Sequence, residues 1–304
     1  MMGPEFVALS LPPLLIGICV AVACAVPGNF LILRSQALIG DAISHVVLPG
    51  IVLAFIITGS RASATLLVGA AVAAVFSIVA IDLIRRVGRI EPGAAMGVVF
   101  TTMFAGGVLL IEQFGAGSVH LDVEHALFGN LEGLIWLDGF GWASLLDPSA
   151  LAGLPVELPR MAAVLVLVTA FTIVFWRPLA MLTFDEGFAQ SLGLRTNWLG
   201  LALVILSAIA AVAAFEAVGS IIVIAMFICP PAAARLMTNR LASQVWMSAL
   251  IAAISAGLGY VLAGYGPMWL GYGASLSAAG MIATLSGLIL AGAALFGKHR
   301  HRAR

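Results

Sequence analysis

Charge is what this 304-residue chain has least of: only 9% of its residues are Asp, Glu, Lys or Arg, against about a quarter in an average soluble domain. With 62% apolar residues and a mean hydropathy of +1.14, an aqueous fold would leave large apolar patches open to aggregation. The scarcity excludes a soluble globular protein and makes lipid the solvent. Also missing are the segments of about ten residues with alternating character that build a transmembrane β-barrel. The apolar runs here, such as 161–176 and 199–215, are continuous. A net charge of zero gives bulk electrostatics no pull toward nucleic acid, which is not an expected partner. The three cysteines, Cys19, Cys24 and Cys229, all fall inside apolar runs and read as small hydrophobes, not as a disulfide framework. No basic residue precedes the first apolar run. A cleaved signal peptide carries a positive leading region, so the first span is expected to be retained.

What is present is a series of apolar runs near the roughly 20 residues that cross a bilayer. Candidate spans lie at 6–28, 36–58, 62–84, 93–111, 160–176, 197–215, 217–236, 243–262 and 272–296. The second is polar for a membrane helix, and 197–236 is nearly one stretch, so the count is eight or nine. The expected fold is an all-α polytopic membrane protein, a single transmembrane domain over 1–304. Abundant Gly and Ala suit close helix approach in lipid.

Basic residues set orientation. With nine spans, Arg34, Arg85, Arg86, Arg89, Arg177, Arg195, Arg235, Arg240 and the tail 298–304 share one side, and only Arg61 and Arg160 fall on the other. The loop around 178–195 and the C-terminus are therefore expected in the cytoplasm. The long connection 112–159 then lies outside, with seven acidic residues and no Lys or Arg. Two readings of that bias stay open: a vestibule that concentrates cations, or mere exclusion of positive charge from external loops. Within it, Trp136 and Trp142 are expected to lie along the membrane interface.

Ionisable residues inside spans cost about 2.5 to 3.5 kcal/mol for Asp on insertion scales, so each calls for a partner or a task. Asp41 and His45 stand four apart in the second span and share a helix face, with Ser44 beside them. Carboxylate oxygen with imidazole nitrogen suits manganese or zinc. A hydrogen-bonded pair that only fixes helix packing remains the alternative from spacing alone. Pro49 has no N–H for the carbonyl of His45, which predicts a kink and a free acceptor beside the pair, tolerated where backbone lines a cavity. Asp82 is expected to pair with the nearby arginines, and Glu216 to sit in a solvated turn near the outer surface. His120, Asp122, Glu124 and His125 form a weaker external cluster. Gly292 to Lys298 resembles a phosphate-binding loop but places His299 where Ser or Thr is required, and it ends an apolar span. The chain is not expected to bind ATP itself.

The segment from Arg34 through Gly40-Asp41-Ala42-Ile43-Ser44-His45 to Pro49-Gly50 resembles the signature of membrane subunits of bacterial metal-ion ATP-binding-cassette importers, the manganese, zinc and iron permeases of the ABC-3 family. Further similar segments follow in order: Ala94 to Phe100, Leu127-Phe128-Gly129-Asn130, Phe184 to Ala189 with Gly193, and Val218-Gly219-Ser220 through Cys229 to Ala233. Segment 132–159 matches no motif of the family and stands out as an insertion or divergent stretch. The resemblance implies that Asp41 and His45 line the translocation path and contact the ion. It implies that Asp185, Glu186, Ala189 and Gly193 belong to a cytoplasmic coupling helix that docks on a separate ATPase subunit, with Ala189 and Gly193 forming a small-residue face.

The resemblance further implies that ATP is bound by that partner, that a second permease subunit, identical or different, completes the path, and that an extracytoplasmic metal-binding protein delivers the ion. No cofactor is permanently bound. The cargo is a divalent ion, manganese favoured and zinc or iron possible, and the location is the bacterial plasma (inner) membrane. The alternative is a stand-alone divalent cation channel or secondary transporter. An intramembrane metalloenzyme would need two His at i and i+4 with a Glu between, and the sequence has no such motif.

Overall fold

The structure, a computed structural model, describes residues 4–37, 39–59, 63–115, 129, 131–269, 271 and 276–297. Every regular element among them is helical: α1 Pro4–Leu9, α2 Leu11–Leu33, α3 Ile39–Thr58, α4 Ser63–Gly88, α5 Pro92–Gly115, α6 Pro148–Leu151, α7 Glu157–Val174, α8 Trp176–Phe184, α9 Glu186–Ser191, α10 Thr196–Met237, α11 Leu241–Trp269 and α12 Ala278–Phe296. Short 3₁₀ turns cover Leu131–Gly133 and Trp142–Leu146. Among the described residues, eight helices are long and apolar enough to cross a membrane. The first starts at Leu11, not at residue 6, because Pro4–Leu9 forms its own short helix.

The expected boundary between 197–215 and 217–236 falls elsewhere. Thr196–Met237 runs as 42 helical residues interrupted only at Gly219, whose φ of 76° and ψ of 174° leave the helical region. At 1.5 Å per residue an unbroken helix of that length would span about 63 Å, twice the roughly 30 Å of hydrocarbon. Glu216 lies within the helical run, not in a solvated turn, and its carboxylate accepts from the Arg160 guanidinium.

By contacts the chain divides into two compact units. One comprises Met1–Asn29, Glu124–Val174 and Ala214–Arg304. In it α2 and α11 run antiparallel: Ser10 shares a hydrogen bond with the Tyr265 hydroxyl at 3.1 Å, and the Asn29 amide donates to Ser248 Oγ at 2.6 Å. Trp136 is fully buried against Val7 and Ala150. Its indole N–H donates to the Ala150 carbonyl (2.8 Å) and its backbone N–H to Ala8. It is a core residue of this unit, where an interfacial tryptophan was expected. Trp142, half exposed, packs on Phe6. Glu132, one of the seven acids of 112–159, accepts from the Ala278 N–H at 2.7 Å and caps α12 together with Ser277. The last turns of α12 contain Gly292, so the backbone there is helix and not a phosphate-cradling loop.

The other unit comprises Phe30–Val123 and Phe175–Ala213. Here α3 packs on α4 and α5 through small residues. A Cβ on Gly50 would stand 2.6 Å from the Gly69 carbonyl oxygen and 2.7 Å from Ala73 Cβ. The outer face of α4 shows Val68, Val72, Phe76, Val79 and Leu83 exposed, the helical stripe expected of a lipid-facing surface.

Candidate functional site

The site is built on α3. Asp41 occupies its first turn, where the positive end of the helix dipole favours a carboxylate. One turn on, His45 Nε2 lies 3.6 Å from Asp41 Oδ1. That separation is too long for a hydrogen bond. It is close to the spacing of about 3.4 Å between two donors sharing a tetrahedral ion at bonds near 2.1 Å. The side chains keep 32% and 40% of their surface exposed, which suits a path wall better than a sealed packing pair. The side chain of Ser44 is not among those described.

The imidazole is held by α5. The Phe100 ring stacks on His45 with centroids 5.1 Å apart and planes 21° from parallel, and Phe104 meets it edge-on at 5.6 Å. One further turn along the same face, Gly107 leaves room for Pro49: a Cβ there would stand 2.9 Å from the proline ring. α3 continues through Pro49 as one helix to Thr58. The kink residue anticipated from sequence is thus the contact that seats α3 on α5. Sequence reasoning missed Phe100 and Phe104 as neighbours of His45. Their i, i+4 spacing was visible, but not which helix their face meets.

Among the described residues no group of three or more His, Cys, Asp or Glu converges. The external cluster His120, Asp122, Glu124 and His125 lies outside them. Two donors from one chain would fill only half of a four-coordinate sphere.

The segment expected in the cytoplasm forms the short helix α9. Asp185 caps it, accepting from the Phe188 N–H at 2.8 Å, with Glu186 in the first turn. Its end is a Schellman motif: Leu194 N–H donates to the Ala189 carbonyl and Gly193 N–H to that of Gln190. Gly193 takes φ +79° and has nothing near its missing Cβ, a backbone conformation that glycine adopts without steric cost. Ala189 is fully buried. Ala189 therefore packs within this chain, while Gly193 stays open. Outward, Phe184, Phe188 and Leu192 are each more than half exposed at i, i+4, i+8 spacing.

These features define the class first: a polytopic α-helical membrane protein with a carboxylate–imidazole pair open within one span. Comparison with known proteins then assigns the family. The chain matches the ABC 3 transport family over residues 8–138 and 150–296 and belongs to it. The stretch outside the matched segments is thus far shorter than the 132–159 that looked divergent. It is 38% identical over 280 residues to MntD, a manganese transport system membrane protein of Bacillus subtilis, covering 92% of this chain and 89% of that one. To TroD, a zinc transport system membrane protein of Treponema pallidum, it is 35% identical over 291 residues, covering 95% and 74%. Among solved structures, PsaBC from Streptococcus pneumoniae in complex with Fab matches with a TM-score of 0.73 and 26% identity, over 95% of this chain and 92% of that chain.

Proposed function

We propose that this chain is the membrane-spanning subunit of an ATP-binding-cassette importer that carries divalent metal ions, manganese first, into the cytoplasm. The observation that carries the reading is the Asp41–His45 pair at 3.6 Å on α3. Mixed oxygen and nitrogen donors fit manganese and zinc, the cargoes named for MntD and TroD. At equal geometry a divalent site prefers zinc to manganese, so discrimination rests on geometry and supply.

The whole chain acts as one permease domain. An extracytoplasmic metal-binding protein delivers the ion to the outer mouth. A second permease subunit, identical or different, brings its own pair, so that four donors surround the ion. The carboxylates exclude anions. The site must hold weakly enough to release as well as admit. ATP is bound and hydrolysed by a separate subunit that docks on the exposed face of α9, around Phe184, Phe188 and Leu192. Nine crossings are proposed, with α10 contributing two on either side of Gly219. Only that count leaves Arg195, Arg235, Arg240 and the basic tail on the cytoplasmic side together.

The test is uptake of radiolabelled manganese, with zinc as competitor, by cells carrying this chain and its transporter partners. Asp41→Ala, at matched membrane levels, is expected to abolish uptake. Uptake that survives the substitution would reduce Asp41 to a packing residue. A stand-alone channel or secondary transporter would take up the ion with the ATPase absent, which the importer would not.

A further inference from the structure

Arg34 stands where α2 ends, and its guanidinium reaches across to the segment that leads into α9. Nη1 donates to the Leu182 carbonyl at 3.3 Å, and Nε to Gln36 Oε1 at 3.4 Å. Leu182 lies in the last turn of α8, where carbonyls have no helical partner and a cation meets the negative end of the dipole. Nη2 lies against Gly200 near the start of α10, 3.3 Å from where a Cβ would stand. One side chain at the end of α2 therefore meets the end of α8 and the first turns of α10.

Beside it lies a cavity of about 270 Å³, lined by Arg34, Asp82, Arg85, Glu186, Ile39 and Ala42 among others. Ile39 and Ala42 belong to the first turns of α3, and Glu186 to α9. Across such a void apolar packing transmits little, and a polar tie carries the connection. Burial lowers the guanidinium from its usual range, Glu186 raises it and Arg85 lowers it, yet arginine stays charged at any physiological pH.

Backbone hydrogen bonds lie on the way from Arg34 to α3. Ser35 takes φ +56°, and the N–H groups of Ser35 and Gln36 donate to Ile32 and Leu31, a Schellman closure made with serine in place of glycine. The Ile39 N–H returns to the Gln36 carbonyl. Arg34 and the first turn of α3, which holds Asp41, are thus joined by a short hydrogen-bonded bridge.

We propose that Arg34 is a positioning residue that ties the ATPase-docking segment to the helix bearing Asp41 and His45, so that movement of α9 reaches the ion site through it. This rests on the docking role given to α9 above. The test uses the assembled transporter in proteoliposomes, reading manganese uptake and ATP hydrolysis in the same vesicles. Arg34→Gln is expected to lower uptake per ATP by about tenfold, the scale of a charged hydrogen bond, while half-saturating manganese stays unchanged. Arg34→Lys, which keeps the charge and one donor, restores most of the ratio. Glu186→Gln, an exposed position that does not endanger folding, lowers it by about threefold.

A wild-type ratio in Arg34→Gln overturns the proposal. Should that variant fail to assemble, a wild-type ratio in Glu186→Gln overturns it instead. Phe188→Glu separates the two readings. If it releases the ATPase while Arg34→Gln couples normally, only the role of Arg34 falls. If the ATPase stays bound and coupled in Phe188→Glu, the docking face falls and takes the Arg34 proposal with it.

Discussion

Gly50 of α3 and Gly69 of α4 meet so closely that a Cβ on Gly50 would lie 2.6 Å from the Gly69 carbonyl oxygen, and one on Gly69 would overlap Ala54. Backbone against backbone, with no side chain between, holds the helix of the candidate site in place. Gly50→Val or Gly69→Val is expected to cost about 1 to 3 kcal/mol by overpacking, read as a lower unfolding temperature in detergent. Gly97 and Gly106 have nothing within 4 Å of a Cβ, and alanine there should gain about 0.5 to 1 kcal/mol. Equal effects at both sets of positions would remove the close approach as a cause of stability.

The ring of Phe100 fixes the plane of the His45 imidazole. Phe100→Ala should raise the half-saturating manganese concentration about threefold to tenfold, the worth of an aromatic pairing, with a smaller change in maximal uptake. A concentration series in vesicles checks this. Unchanged half-saturation would mean that the ring packs without orienting the ligand.

Gly193 is needed for its positive φ. Gly193→Ala is expected to cost about 1 to 2 kcal/mol of local stability and to loosen α9, whereas Gly193→Asn, which visits that region more readily, should cost less. Amide hydrogen exchange across 186–194 measures both. A variant order set by side-chain size alone would restore the packing role that the sequence suggested.

Asp147 caps α6: the Ser149 hydroxyl donates to its carboxylate at 2.7 Å and the Ser149 N–H at 2.9 Å. Those bonds hold its carboxyl below the usual range. A depressed carboxyl contributes its stability above the unfolded value, about 3.9, and loses it as pH falls through the lower folded value. Protection of the 149–151 amides should therefore be constant from pH 7 to about pH 4 and fade below. In Asp147→Asn it should not respond to pH. Protection lost between pH 7 and pH 5 would assign the cap elsewhere.

Local relations were legible in the sequence, and relations across the fold were not. Asp41 and His45 share a face because 3.6 residues make a turn, and the structure places them together. The spans were visible because lipid demands long apolar runs. Trp136 was misplaced because a tryptophan expected outside reads as an interfacial anchor, and the core that buries it comes from distant stretches, Val7 of α1 and Ala150 of α6. Glu216 was misplaced because its partner Arg160 lies 56 residues earlier. Gly193 carries a requirement that spacing to Ala189 does not show, because the helix ends at Ser191 and the turn there takes a positive φ. For Trp136 and Glu216 the missing information was which surface a residue meets, and periodicity does not encode that.

Gly219 also bears on how the chain enters its membrane. Between Arg195 and Arg235 the only charge is Glu216, and the two limbs of α10 have no hydrophilic connector. With the nine crossings proposed above, the two limbs would enter as one apolar hairpin with a single carboxylate near its break. Synthesis runs from the N-terminus, so Arg160 is already in place when that carboxylate arrives. The pair is thereby closed by the later-made of its two members, Glu216.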